Sequence, residues 1–288
     1  MKISVLINNY NYGRFLAACI DSVLAQDYPD FEIIVVDDGS TDNSRDVIAS
    51  YGTRILAVLK ENGGQASSFN AGFAASSGEI VCLLDADDTF LPRKLPITAS
   101  LYQSHKADWV FDHVTTDENA TIGTQISTTE IDKRESLRQG GFPSLPVPTS
   151  GLTFHRRILA DILPMPTAND VVLSDNYLKF AAAYLGKGLI VETPLTFQRI
   201  HGANRYTNSD KAQQLRAKIM VATGVSLARR YEGMKAMGQK LAAGGLAKSD
   251  YRGGTLIAET RRCAEDGKFS LLHFAAQVAL KRLAGKIR

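Results

Sequence analysis

Cysteine is scarce in this 288-residue chain: Cys19, Cys82 and Cys263 stand far apart and are odd in number. No CxxC or Cys/His ligand spacing occurs, which argues against a disulfide scaffold and a structural zinc site. Cys19 and Cys82 read as small core hydrophobes. Long apolar runs are missing too, and none approaches the roughly 18–20 residues that cross a bilayer. The chain enters a strand-like run at once, Ile3-Ser4-Val5-Leu6-Ile7, with neither the basic region nor the apolar core of a signal peptide. A reducing, cytoplasmic setting is the expectation. Tryptophan occurs once, at Trp109, and no internal repeat is visible.

Apolar residues make up 44% and charged residues 22%, as in ordinary globular proteins. The net charge of +3 conceals an asymmetry. Residues 1–200 hold 16 Lys/Arg against 24 Asp/Glu, whereas residues 201–288 hold 17 against 6. The basic end suits an anionic partner such as a membrane surface or an acidic glycan; a nucleic-acid partner is not expected.

Two acidic clusters carry most of the information. Asp37-Asp38-Gly39-Ser40 follows Ile33-Ile34-Val35-Val36, and Asp85-Ala86-Asp87-Asp88 follows Ile80-Val81-Cys82-Leu83-Leu84. Continuous apolar runs closed by turn residues read as buried parallel strands. Open α/β sheets bind ligands outside the carboxyl ends of their strands, so both clusters point to one crevice. Carboxylates crowded at one edge repel unless a cation or hydrogen-bond donors share the site. A metal-dependent site for a diphosphate-bearing ligand follows.

Strand and helix patterns alternate through the first hundred residues, which predicts an α/β fold with a mostly parallel central sheet flanked by helices. Strands are expected near 3–7, 31–36, 54–59, 79–84 and 107–112, and helices near 14–25, 43–51, 65–76 and 93–104. Ser40 or Asp42 can cap the second helix. Residues 117–150 read as a long loop. A strand at 151–154, a helix over 174–184 and two short strands near 188–191 and 194–200 complete this part. Residues 208–288 read as helical, broken at Gly244-Gly245 and Gly253-Gly254.

Four motifs occur in order: Ile-Asn-Asn-Tyr-Asn at 7–11, Val-Val-Asp-Asp-Gly-Ser-Thr-Asp at 35–42, Glu61-Asn62-Gly63-Gly64 with Asn70-Ala71-Gly72, and Leu84-Asp85-Ala86-Asp87-Asp88. The series resembles the family 2 glycosyltransferases, inverting enzymes of the nucleotide-sugar fold called GT-A. The resemblance is strong over residues 1–110 and looser over 149–205. It implies a catalytic domain over 1–205, divided into a nucleotide-sugar half (1–110) and an acceptor and catalytic-base half (111–205), followed by a basic helical region over 206–288.

The resemblance also implies roles. Asn9, Tyr10 and Asn11 would line the base pocket, with Tyr10 stacking on the nucleobase. Asp37 or Asp38 would accept a hydrogen bond from base or ribose, an acceptor's task that suits an ionised carboxylate; helix capping is the alternative for one of them. Asn62, Gly63 and Gly64 open a helix whose N–H groups could meet phosphate. Asp85-Ala86-Asp87 resembles the family's DxD element: Asp85 would face ribose or a metal-bound water, and Asp87 would bind manganese or magnesium directly. Many relatives place Arg before Asn-Ala-Gly, where this chain has Phe69; Lys60, Arg199 or His201 would have to substitute. Arg199-Ile200-His201 resembles a late element near the diphosphate, and His201 could ligate the metal. Asp175 is the expected base, with Ser174 in place of the usual Glu, Asp170 in reserve and capping as the other reading of Ser174-Asp175. Thr149-Ser150-Gly151 would border the acceptor pocket.

The implied activity is transfer of one sugar from a nucleotide-diphosphate sugar to a glycan or lipid-linked glycan acceptor in bacterial cell-surface synthesis. Two rivals exist: a non-catalytic sugar-nucleotide or glycan-binding module, and a haloacid-dehalogenase-like phosphatase, since Asp85-Ala86-Asp87-Asp88-Thr89 also fits D-x-D-x-T. The second lacks its later acidic element. Leu271, Phe274, Ala275, Val278 and Leu283 fall at helical spacing beside Lys281, Arg282, Lys286 and Arg288. That pattern suits peripheral attachment to the inner face of the cytoplasmic membrane, or packing within the molecule or in a homo-oligomer.

Overall fold

The structure, a computed structural model, describes residues 1–167, 173–202, 210–248, 276 and 278–280. In chain order the elements are β1 (Ile3–Asn9), α1 (Gly13–Leu24), β2 (Phe31–Asp38), α2 (Ser44–Ser50), β3 (Leu56–Lys60), α3 (Gly64–Ala75), β4 (Ile80–Asp85), β5 (Thr89–Phe90), α4 (Lys94–Ser104), β6 (Trp109–Thr115), β7 (Thr128–Ile131), α5 (Arg134–Arg138), β8 (Leu152–His155), α6 (Arg156–Ile162), α7 (Asp175–Leu185), β9 (Gly188–Phe197), α8 (Asp210–Arg230) and α9 (Lys235–Lys248). They fall into two compact units. The first comprises residues 1–132, 145–165 and 185–200, and the second 133–144, 166–184 and 201–288.

The first unit is built on one sheet in the order β3-β2-β1-β4-β8-β6-β9-β5, with β7 also against β9. β3, β2, β1 and β4 run parallel. The sheet then becomes mixed: β8 lies antiparallel between β4 and β6, β9 runs parallel to β6, and β5 and β7 pair antiparallel with β9. The expected parallel sheet is therefore its first half. Alternation along β1 explains the layering. Ile3, Val5 and Ile7 pack with Leu16, Cys19, Ile20 and Val23 of α1, Ile48 of α2 and Leu95 of α4. The α1 spacing, i, i+3, i+4 and i+7, is that of one helix face, and each large aliphatic so buried contributes about 1.5–3 kcal/mol. Leu6 points the other way, towards α3, where Gly72 lacks the Cβ that would come within 3.1 Å of Val36 and 3.4 Å of Leu6.

Three expectations are corrected. The span 117–150 holds β7 and α5 rather than loop alone. The two short strands near 188–200 are one strand, β9, whose register against β6 shifts between Asp112 and Val114. Gly244-Gly245 does not break α9, which runs to Lys248; Gly253-Gly254 lies outside the described residues. In the second unit α8 and α9 form an antiparallel pair in which Gly224 and Gly238 face each other. A Cβ on either would fall about 2.3–2.4 Å from the other's carbonyl oxygen, so glycine serves close approach there.

At the sheet edge away from the acidic clusters, Glu32 ties three segments together. Its carboxylate accepts from Ser4 Oγ (2.6 Å), Ser77 N (2.6 Å) and Lys2 Nζ (2.7 Å). Burial alone would raise its pKa, but the bonds from Lys2, Ser4 and Ser77 outweigh it and lower it from 4.5 to about 2. A carboxyl depressed on folding stabilises the protein above its unfolded pKa and loses that contribution as pH falls through the folded one. Glu32→Gln should cost about 2–3 kcal/mol at pH 7. In urea titrations, the gap from wild type should shrink as pH falls below about 4.5 and close near 2.

Candidate active site

The parallel strands β1, β2 and β4 end side by side: Asn9 is in register with Asp37, and Asn8 with Asp85. This brings both acidic clusters to one edge, as the sequence patterns require. Asp37 is fully buried. Its Oδ1 accepts from Asn9 Nδ2 (2.8 Å) and its Oδ2 from Arg45 Nε (2.9 Å) and Ser40 N (3.1 Å). Burial opposes ionisation, but the bonds from Ser40, Arg45 and Asn9 hold the carboxyl below its ordinary pKa. Asp38 Oδ1 accepts from Lys60 Nζ (2.5 Å) and Gly63 N (2.9 Å), and Oδ2 from Gly64 N (2.8 Å). Asn62 Nδ2 donates to the Asp38 carbonyl at 2.9 Å.

These contacts bear on the expected donor-site roles. Both oxygens of Asp37 and of Asp38 accept from protein donors in this conformation. The Gly63 and Gly64 N–H groups, anticipated as phosphate donors, cap Asp38. Lys60 is likewise committed to Asp38 and to the Glu61 carbonyl (2.5 Å).

Asn11 has φ +60°, a left-handed conformation that Asn tolerates better than most residues. Its Oδ1 accepts from Thr41 N (2.7 Å) and its N–H donates to Ser40 Oγ (2.9 Å). Asn11 therefore stitches the β1 turn to the β2 turn. Asp42, and not Ser40, serves the start of α2, accepting from Ser44 N at 3.0 Å. Between these anchored neighbours Tyr10 is 48% exposed, a ring open to stacking.

The second cluster is differently constrained. Asp85 is half-buried, with Gln65 Nε2 at 3.4 Å from its Oδ1. Ala86 N donates to the Asn8 carbonyl (3.1 Å), and Asp88 N to the Asp85 carbonyl (3.0 Å), closing the turn. Asp87 and Asp88 are buried. Asp88 accepts from Ser150 Oγ (2.5 Å) and from Arg199 N (3.0 Å). Burial, helped by the Asp87 charge and opposed by the Ser150 bond, pushes the Asp88 carboxyl up to about 7. Nearby, burial and then the charges of Asp88, Asp87 and Asp85 push the Cys19 thiol well up. In both shifts burial is the largest cause, and neighbouring aspartate charges add to it.

Ser150 thus belongs to the acidic turn, whereas the sequence reading set it beside the acceptor. No motif signals this, because the contact spans more than sixty residues. The Arg199 guanidinium sits over Phe15 and Phe197 (5.4 and 5.3 Å) and reaches Glu118. Phe69, which precedes Asn70-Ala71-Gly72, is a buried core residue of α3.

His201 and Asp175 belong to the second unit. Asp175 opens α7 and pairs with Lys179 at 2.9 Å, while Asp170 lies outside the described residues. Among the described residues no group of three or more His, Cys, Asp or Glu side chains is arranged to hold a metal. Magnesium is commonly held by only one or two carboxylates together with water and substrate phosphates. Asp85 and Asp87, two carboxylates on one turn, fit that mode.

Residues 4–163 match the profile described as glycosyl transferase family 2. The chain belongs to this family. An uncharacterized glycosyltransferase of Nostoc sp. is 39% identical over 224 residues, 74% of this chain and 69% of the relative. The fold is GT-A. Staphylococcus aureus TarS 1–349 in complex with UDP-GlcNAc aligns with a TM-score of 0.61 at 16% identity, covering 98% of this chain and 89% of that one. The mannosyltransferase PcManGT of Pyrobaculum calidifontis, in complex with GDP-Man and Mn2+, aligns at 0.55 and 18% identity, covering 98% and 87%. The protein is thus a glycosyltransferase, and the phosphatase and non-catalytic readings fall. No helix among the described residues is long and apolar enough to cross a membrane.

The Asp38 cap yields a direct test. Asp38→Asn keeps the shape but leaves one of its donors facing an NH2 group. It should cost about 1–3 kcal/mol and speed amide exchange at Gly63 and Gly64. Unchanged exchange would show that the carboxylate does not hold this loop.

Proposed function

We propose that the enzyme transfers one sugar from a nucleoside-diphosphate sugar to an acceptor hydroxyl with inversion, assisted by manganese or magnesium. The observation that carries this is the Asp85–Asp88 turn at the carboxyl edge of the parallel strands, beside the half-exposed Tyr10. Related folds in complex with UDP-GlcNAc and with GDP-Man and Mn2+ support the donor class and the ion. Asp87, with Asp85, would hold the ion, which when bound neutralises charge on the leaving diphosphate.

In this reading the chain's own residues do the following. Tyr10 stacks on the base, and Asn9 and Asn11 keep its turn in place through Asp37, Ser40 and Thr41. Asp85 faces the ribose. Arg199 supplies the positive charge that Phe69 cannot. Asp175 takes the proton from the acceptor hydroxyl as its oxygen attacks the anomeric carbon from the face opposite the diphosphate. One such displacement inverts the configuration. The Lys179 ammonium keeps the Asp175 carboxylate oriented.

The acceptor we infer is a growing bacterial cell-surface glycan on a lipid carrier. The excess of Lys and Arg in residues 201–288 favours work at an anionic membrane face. Most of residues 268–288, where the basic amphipathic pattern falls, lie outside the described residues.

Nucleotide release from UDP-, GDP- and dTDP-sugars tests the donor reading. Asp87→Ala should remove most turnover and the metal-dependent part of nucleotide binding with the fold intact; full turnover in excess chelator would refute the metal role. Separately, Asp175→Asn retains shape but cannot take the proton. Its kcat should fall by about 10²–10⁴ with donor affinity nearly unchanged. Wild-type turnover by Asp175→Asn, together with a dead Asp170→Asn, would move the base to Asp170.

A further inference from the structure

One buried hydroxyl joins the two ends of the acidic turn. Ser150 is fully buried; its Oγ accepts from Asp85 N (3.1 Å) while donating to Asp88 Oδ2 (2.5 Å). A hydroxyl has one proton to give, and here it goes to Asp88. The other Asp88 oxygen accepts from Arg199 N, so both oxygens are engaged and the residue is only 3% exposed. Ser150 is itself held from below. Its carbonyl accepts from Lys94 Nζ (3.1 Å), while Thr196 Oγ1 gives its one proton to Asp112 Oδ2 (2.9 Å). Lys94 is fully buried, paired with Asp112 (2.6 Å) and bonded to Thr196 Oγ1 (2.7 Å). Withdrawing an ammonium from water is costly even when it is paired, and this one bonds Asp112, Thr196 and the Ser150 carbonyl together.

We propose that Ser150, braced by the buried Lys94–Asp112 pair, is a positioning residue that presents Asp85 and Asp87 to the donor, and that Asp88 is its strut and not a ligand of cation or donor. The inference rests on the donor-site reading above and adds a division of labour among three neighbouring aspartates. It also links Arg199 to the turn, because the Asp88 strut holds the Arg199 backbone.

The test compares wild type, Asp87→Asn, Asp88→Asn, Ser150→Ala and the Ser150→Ala/Asp88→Asn double variant. The readouts are thermal melting, calorimetric binding of UDP and GDP with and without Mn2+, and donor kcat and KM. Asp87→Asn should abolish the Mn2+-dependent part of binding. Asp88→Asn keeps an acceptor for Arg199 N and should leave the Mn2+ dependence within about 3-fold of wild type. Ser150→Ala should melt cooperatively, bind the Mn2+ nucleotide about 10-fold more weakly and lose about 10- to 100-fold in kcat. The double variant should be little worse than Ser150→Ala, because groups in one network are not additive.

Loss of Mn2+-dependent binding in Asp88→Asn, matching Asp87→Asn, would make Asp88 a ligand and overturn the proposal. So would a lower melting temperature in Ser150→Ala with binding and kcat unchanged, which marks a merely structural bond. Should Ser150→Ala fail to fold, the comparison of Asp88→Asn with Asp87→Asn decides. Wild-type protein that binds neither UDP nor GDP would remove the donor reading itself, and this inference with it.

Discussion

Anionic crowding at the ends of parallel strands is the constraint to which the first unit answers. A parallel sheet brings its strand ends to one edge, and this chain places Asp37, Asp38, Asp85, Asp87 and Asp88 there. Like charges so close in a partly dry environment would unfold the edge unless something offsets them. Two solutions coexist. At the end of β2 the offset is internal: Arg45, Lys60, Asn9, Ser40 and two glycine N–H groups saturate the pair. At the end of β4 Ser150 Oγ and the Arg199 N–H hold Asp88, and burial, with the neighbouring carboxylates adding to it, raises the Asp88 carboxyl and the Cys19 thiol.

How much of this is visible in sequence depends on the range of the interaction. β1, β2 and β4 are legible because their apolar runs are continuous and end in turn residues, and the edge carrying both acidic clusters follows from topology alone. The partners of Asp38 were not legible. Gly63 and Gly64 look like a phosphate loop in sequence, and only the pairing of β2 with β3 puts Asp38 over their N–H groups. Ser150 is the stronger case: 65 residues separate it from Asp85, and its hydroxyl has no local pattern to betray it. Lys94, at the start of α4, is fully buried through partners also distant in sequence, Asp112, Ser150 and Thr196.

Helical periodicity misled in a different way. Paired glycines usually interrupt helices because they cost about 1 kcal/mol each relative to alanine. In α9 that cost is met by packing. A Cβ at Gly245 would sit 2.6 Å from the Ala217 carbonyl and 2.8 Å from Val221 of α8. Propensity is a local quantity, and a close helix pair overrides it. The register shift opposite β9 belongs to the same class, since two short apolar runs in sequence become one strand when a neighbour absorbs the irregularity.

Phe69 constrains where a cation can stand in this chain. It is buried in α3, so reverting it to Arg in this background would bury a guanidinium without a designed partner, a change expected to be severely destabilising. In the proposed reading the cation that meets the diphosphate comes from elsewhere in the chain. Lys60 is spent on Asp38. Arg199, by contrast, is attached through its backbone to the acidic turn while its guanidinium rests on the faces of Phe15 and Phe197. Aromatic faces stabilise a guanidinium without using up its N–H donors. That combination, together with the Glu118 contact, fixes the Arg199 charge near the turn.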